Sequence, residues 1–254
     1  MSERVRYPAV AGQFYPADPT ELRRQIEGFM ADVPAREGPS PKAIIAPHAG
    51  YIYSGPIAAS AYAWVRPCGI DHVVLLGPAH RVYLQGAAAS SATLWRTPLG
   101  DIRLDVPSGI PVSDVAHAQE HCLEVQLPFL QVILDDFLLT PLVVGDATGK
   151  EIANLLESLW GGPETLIVIS SDLSHYENYK TANRMDSATS QAIVTLDPDG
   201  LSSDSACGRI PIRGLLQLAK QKYMRAEVVD LRNSGDTAGA RDSVVGYGAY
   251  AFYE

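Results

Sequence analysis

Three short apolar runs in this chain each end in a polar turn carrying histidine, and that repetition limits the fold more than any other feature. The runs occupy residues 42–51 (KAIIAPHAGY), 72–80 (HVVLLGPAH) and 165–176 (TLIVISSDLSHY). Each has the length and β-branched content of a buried parallel strand and then breaks at Pro, Gly or Ser-Asp. In an open α/β sheet, ligands bind beyond the carboxyl ends of the strands. His48, His80, Asp172 and His175 are therefore expected on one rim. His72 precedes its strand and is expected at the opposite edge. Convergent imidazoles at such a rim point to a metal or to acid–base chemistry.

Between these runs the chain alternates strand and helix patterns. Asp18-Pro19-Thr20-Glu21 reads as a helix start, with an Asp N-cap and Pro at the first helical position. Ser54-Gly55-Pro56 is expected to lead into a helix over 57–65. Residues 86–105 read as extended, with a turn at Thr97-Pro98-Leu99-Gly100. Residues 122–134 read as mostly helical despite Pro128, residues 178–196 as helical, and Pro211 as another helix start. The alternation implies an α/β fold, one domain over residues 1–254, with a central, largely parallel or mixed β-sheet flanked by helices. Antiparallel additions are expected near 86–105 and at the C-terminus.

The 254 residues carry 46% hydrophobic side chains and a net charge of −9 without a Lys/Arg cluster. Phosphate-backbone affinity comes mostly from basic residues, so no nucleic-acid partner is expected. No apolar stretch reaches membrane-span or signal-peptide length, and three cysteines give no disulfide framework, so the expectation is a cytoplasmic protein with no membrane partner. No G-x-G-x-x-G, Walker or G-x-S-x-G pattern occurs, which removes the usual nucleotide and serine-hydrolase sites.

Individual candidates each have a bland alternative. His48 and His80 alone fit turn histidines bonded to backbone; two such turns after successive strands favour function. Asp172 and His175, three apart, fit one face of a turn, with Asp172 orienting the imidazole of His175; Asp172 also fits a plain N-cap. Cys207, in ACGRIP, approaches a helix N-terminus, where dipole and cations depress a thiol pKa; its alternative, and the reading for Cys68, is a small buried apolar residue. His117-Ala118-Gln119-Glu120-His121 matches the inverted zincin pattern H-x-x-E-H, which needs one continuous helix, but helical periodicity is convincing only from Cys122. Glu120, His121 and Glu124 are instead expected to place polar groups at the pocket, as is Tyr51 beside His48.

Taken in order, PAVAGQFYP, PHAGYIYSGPIAASAY, GPAH, WRTPLGDI, EHCLEVQLPFL, SSDLSHY, ACGRIPI and GYGAYAF resemble the MEMO-like family, whose bacterial and archaeal members are called AmmeMemoRadiSam system protein B. The resemblance covers about residues 7–252. That family in turn resembles the LigB-type class III extradiol dioxygenases in fold. The resemblance implies metal ligands at His48, His80 and Cys207, and a catalytic pair at His175 and Asp172. Thiolate in place of the dioxygenase carboxylate favours Fe, Cu or Zn over Mg or Ca, and the expected metal is Fe(II), with Cu or Zn as alternatives. The implied function is a non-haem metal protein, an oxygen-dependent oxidoreductase acting on a small aromatic or bidentate substrate. Its rivals are a non-catalytic redox or signalling module that holds metal or a partner such as a peptide, and a zinc hydrolase. Substrate, partner and oligomeric state are not written in the residues.

Overall fold

The apolar runs are continuous because both faces of their strands are buried. The structure, a computed structural model, describes residues 3–65 and 69–254; the Cys68 expectation lies outside them. In chain order the strands are β1 (Val5–Arg6), β2 (Ala43–Ala46), β3 (His72–Pro78), β4 (Ala87–Ala89), β5 (Leu94–Thr97), β6 (Gly100–Leu104), β7 (Leu138–Val144), β8 (Thr165–Ser170), β9 (His175–Glu177), β10 (Arg225–Asn233) and β11 (Val244–Tyr253). The α-helices are α1 (Pro19–Ala31), α2 (Tyr51–Tyr62), α3 (Asp114–Ala118), α4 (Leu127–Ile133), α5 (Gly149–Ser158), α6 (Tyr179–Val194) and α7 (Arg209–Gln221). One sheet runs in the order β1-β5-β6-β7-β3-β8-β2-β11-β10, with β4 on β7 and β9 on β11.

Side chains alternate strictly between two cores. Ile44, Val73, Leu75, Leu166 and Val168 pack with α1, α2 and α4; Ile45, Val74, Leu76, Ile167 and Ile169 pack with α5, α6 and α7. Burial on both faces is what suits β7, β3, β8 and β2 to parallel pairing. The antiparallel additions fall where the sequence places them: the β5–β6 hairpin turns at Pro98-Leu99, and β10 pairs with β11, which pairs with β2. No helix among the described residues is long and apolar enough to cross a membrane.

Helix boundaries show where turn chemistry misleads. Asp18 caps α1 as expected, its carboxylate accepting the Glu21 N–H at 2.9 Å. α2, by contrast, begins at Tyr51, six residues before the expected start, and runs through Pro56. Proline this near a helix start loses one hydrogen bond, and burial of nine of the helix's twelve residues outweighs it. Gly55 within it lets α1 approach, because a Cβ there would meet the Phe29 ring at 2.4 Å. Pro128 sits at the start of α4, where proline is tolerated, and α7 starts at Arg209, two residues before Pro211.

Candidate metal centre

β3, β8 and β2 are adjacent and parallel, so the chain leaves all three at one sheet edge. The second residue beyond each strand is His80, Asp172 and His48 respectively. Cys207 arrives from the turn before α7, its backbone N–H reaching Asp172 O at 3.3 Å. His72 lies at the other edge, with Nε2 3.0 Å from Thr140 Oγ1. The metal-binding atoms of His48, His80 and Cys207 all lie within 4.8 Å of one another.

The hydrogen-bond network fixes which nitrogen of each ring is free. His48 is buried, with Nδ1 2.9 Å from Ser170 Oγ. That hydroxyl gives its own proton to Cys122 O at 2.6 Å and receives the Gln126 amide at 2.8 Å. Ser170 must then accept from His48 Nδ1–H, which leaves the Nε2 lone pair facing Cys207 Sγ at 3.3 Å. His80 Nδ1 donates to Glu120 Oε1 at 2.9 Å, so its Nε2 is likewise free. Glu120 is buried and also accepts the backbone N–H groups of His80, His121 and Cys122. Burial alone would raise its carboxyl pKa; the His121 and His80 imidazoles outweigh burial and hold it well below the usual range.

His121 completes a group of three imidazoles. It stacks on His80 at 4.8 Å, meets the edge of His48 at 5.4 Å and is covered by Phe14 at 4.9 Å. Its Nδ1 is 3.1 Å from Glu120 Oε1 but off the hydrogen-bond direction. Burial, with the neighbouring imidazoles, drives the His48 pKa well down and keeps that ring neutral, the form that binds metal.

Four expectations require correction. The Cys207 thiol is not acidic: burial, then the Asp172 carboxylate, push it up to about 12. Desolvation outweighs the start of α7, and the sulfur lies 3.3 Å from His48 Nε2. Gly208, which caps that helix, gives its N–H to Ser171 Oγ at 2.9 Å, and a Cβ there would meet Ser171 at 2.7 Å.

Asp172 does not orient His175. Its Oδ1 accepts the His48 backbone N–H at 2.7 Å, and its Oδ2 is 3.9 Å from His48 Nε2. Burial raises its pKa, opposed by the His48 N–H. Residues 171–174 form no helical turn; Leu173 N donates to Gly246 O, and Gly246 N donates to Ser174 O. Both residues border the same cavity, but Asp172 is buried and spends its carboxylate on His48, while His175 is exposed and has no hydrogen bond to it.

Tyr51 and Glu124 do not reach the pocket. Tyr51 donates to Val125 O at 2.7 Å and packs on Tyr15 and Phe129. Glu124 is fully buried and accepts from Arg6, Ala9 N, Val10 N and Tyr15 OH, which fastens the N-terminal segment to the sheet. The inverted zincin pattern is also split. α3 ends at Ala118, and His117 turns away to Ala88 O at 3.0 Å while His121 enters the pocket. The hydrolase reading loses the inverted zincin stretch as its basis and is left with the histidine rim alone.

The cavity holds about 720 Å3 and is lined by His48, His80, His121, Asp172 and His175. Phe14, Tyr53, Tyr176 and Tyr247 supply aromatic walls, and Gln13 and Arg81 supply polar ones. A cavity of about 820 Å3 elsewhere, between α1, α2 and β10, has no His or Cys, so size alone does not mark the site. Sequence reasoning missed Ser170, Gln126, Phe14 and Arg81; of these only Ser170 and Arg81 adjoin the quoted turns. Tyr176 was visible only as an end of the third run, yet it holds φ +59°, a conformation costing a bulky residue about 1–3 kcal/mol.

Fold and donor atoms together define an α/β protein with a candidate metal site at the carboxyl ends of its parallel strands. The family model described as Memo-like protein matches residues 6–251. A MEMO1 family protein of Desulfurococcus amylolyticus is 36% identical, covering 98% of this chain and 99% of its own length. Those of Sulfolobus acidocaldarius and Methanosarcina mazei are 36% and 37% identical, covering 96% of this chain and 97% and 98% of theirs. The chain belongs to the Memo-like family. A solved structure of an uncharacterized Escherichia coli K12 protein matches at TM-score 0.42 and 10% identity over 97% of this chain and 99% of that one, a likeness too slight to carry an argument.

Proposed function

We propose that His48, His80 and Cys207 hold one iron(II) ion and that the centre performs oxygen-dependent redox chemistry on a small ligand in the adjoining cavity. The observation that carries this reading is the convergence of two imidazole nitrogens, each freed by a bond to the opposite ring nitrogen, and one thiol sulfur. Donors on opposite sides of an ion sit about 4–4.6 Å apart at ordinary bond lengths. The 4.8 Å limit is close enough for small side-chain movements to close the set. Two nitrogens and a sulfur suit iron, copper or zinc rather than magnesium or calcium. The fold resemblance of the Memo-like family to class III extradiol dioxygenases supports iron among these.

Bound there, iron(II) supplies Lewis acidity and one-electron redox capacity. The chain's residues do the rest. Ser170 and Glu120 keep both imidazoles aimed and neutral at the metal-facing nitrogen. Asp172 holds the His48 backbone, and the Phe14 ring shields His121 from water. His175, exposed in the cavity wall, is free to take or return a ligand proton.

A second reading is a metal-holding redox module without turnover. The exposed His175, with no hydrogen bond to Asp172, favours it, because catalytic bases are usually held by a partner. Anaerobic loading with Fe(II), followed by oxygen uptake across a panel of catechols and other bidentate ligands, tests the choice. Ligand-dependent uptake that His175→Ala abolishes, with metal content unchanged, supports the enzyme; iron bound without any uptake supports the module.

A further inference from the structure

Two side chains of the 720 Å3 cavity have no part in holding a metal, and neither is explained by the fold. Arg81, directly after His80, is the one Lys or Arg lining the cavity. It is exposed and makes no hydrogen bond, ion pair or ring contact among the described residues. In a chain of net charge −9, carboxylates to pair with it are plentiful, yet none does. The only carboxylate among the lining residues, Asp172, is buried against the His48 backbone.

Tyr176 sits in β9 with φ +59°, where bulky residues are strained, and the residue is 79% exposed. Burial therefore does not offset the strain. Such outliers gather at ligand sites. Among the described residues, this ring's aromatic neighbour is His175 at 5.9 Å alone. Three further rings, Phe14, Tyr53 and Tyr247, line the same cavity.

We propose that the cavity binds a small planar carboxylate, its anionic group paired with Arg81 and its flat body against Tyr176. The planar guanidinium matches a carboxylate through two parallel N–H donors. A single full cation suits a singly charged group better than a phosphate dianion. The inference rests on the reading of this cavity as the ligand site and deepens it, but it does not require the metal.

The experiment uses metal-free protein and titrates benzoate, benzamide and phenyl phosphate by calorimetry. Benzoate should bind at least fivefold more tightly than benzamide. Arg81→Gln should remove that difference and Arg81→Lys should keep part of it. Tyr176→Gly, which relieves the strain, should weaken benzoate at least threefold while the melting temperature stays level or rises. Equal binding of benzoate and benzamide, or an unchanged preference in Arg81→Gln, overturns the proposal. A lower melting temperature in Tyr176→Gly makes the ring a support of the fold and overturns its part. Preference for phenyl phosphate overturns the carboxylate. Metal content is measured separately, so a missing metal with intact benzoate binding sinks the metal reading alone.

Discussion

Ser170 accepts the Nδ1 proton of His48 at 2.9 Å because its own hydroxyl proton is committed to Cys122 O. One hydroxyl at the end of β8 thus sets the tautomer of a ring at the end of β2. Ser170→Ala should weaken metal binding 10–100-fold, the usual effect of losing a partner that orients a ligand. It should also cost about 1–3 kcal/mol of stability, because the His48, Gln126 and Cys122 groups lose a buried partner. Metal titration beside denaturant unfolding checks both; unchanged affinity with lowered stability would mean that Ser170 serves only the fold.

Glu120 does for His80 what Ser170 does for His48, with a charge in addition. Glu120→Gln keeps the shape, but it loses the charge and cannot accept both the His80 ring proton at Oε1 and the His80 backbone N–H at Oε2. Metal affinity should fall at least tenfold. Affinity equal to wild type would show that the backbone alone holds His80 in place.

The third prediction concerns pH and lies outside the pocket. Burial pushes the His117 pKa down to about 4 from its ordinary 6.5. The folded ring stays neutral where the unfolded one is charged, so this stability is full above pH 6.5 and is lost as pH falls toward 4. The loss is about 3 kcal/mol at most. His117→Gln should flatten the fall in stability between pH 6.5 and 4 while keeping most of the bound metal. Loss of metal in that variant would return the H-x-x-E-H stretch to the centre of the account.

Glu124 makes the opposite contrast, a buried charge that matters to stability and not to the metal. Its pair with Arg6 spans 2.8 Å with both side chains nearly inaccessible. Glu124→Ala should cost about 3–5 kcal/mol, as when one partner of a buried pair is removed. At a temperature where it remains folded, it should bind metal at wild-type stoichiometry. A variant that is stable but metal-free would place Glu124 in the site after all.

These contrasts mark what the residues reveal unaided. The strand ends are legible because β2, β3 and β8 are apolar on both faces, and turn chemistry ends each at once. His48, His80 and Cys207 follow from those ends and from the family resemblance. The Asp172–His175 pairing was not legible. A spacing of three suits a helical turn, and the segment pairs instead with Gly246, far away in the chain. Tyr51 and Glu124 misled because polar groups beside a pocket motif look the same whether they face the cavity or the core. Their burial is decided by Tyr15 and Arg6, in a segment far away in the chain. Pro56 likewise hid the start of α2, since packing outweighed the local signal.

Iron content after anaerobic loading with Fe(II), in wild type and in Cys207→Ala, tests whether the three donors form one centre. The account predicts one tightly held iron per chain in wild type and loss of most of it in Cys207→Ala, with His117→Gln as a binding control. A Cys207→Ala protein that holds iron as tightly as wild type would contradict it. The sulfur would then be a half-buried thiol beside His48, and the three-donor centre would not exist.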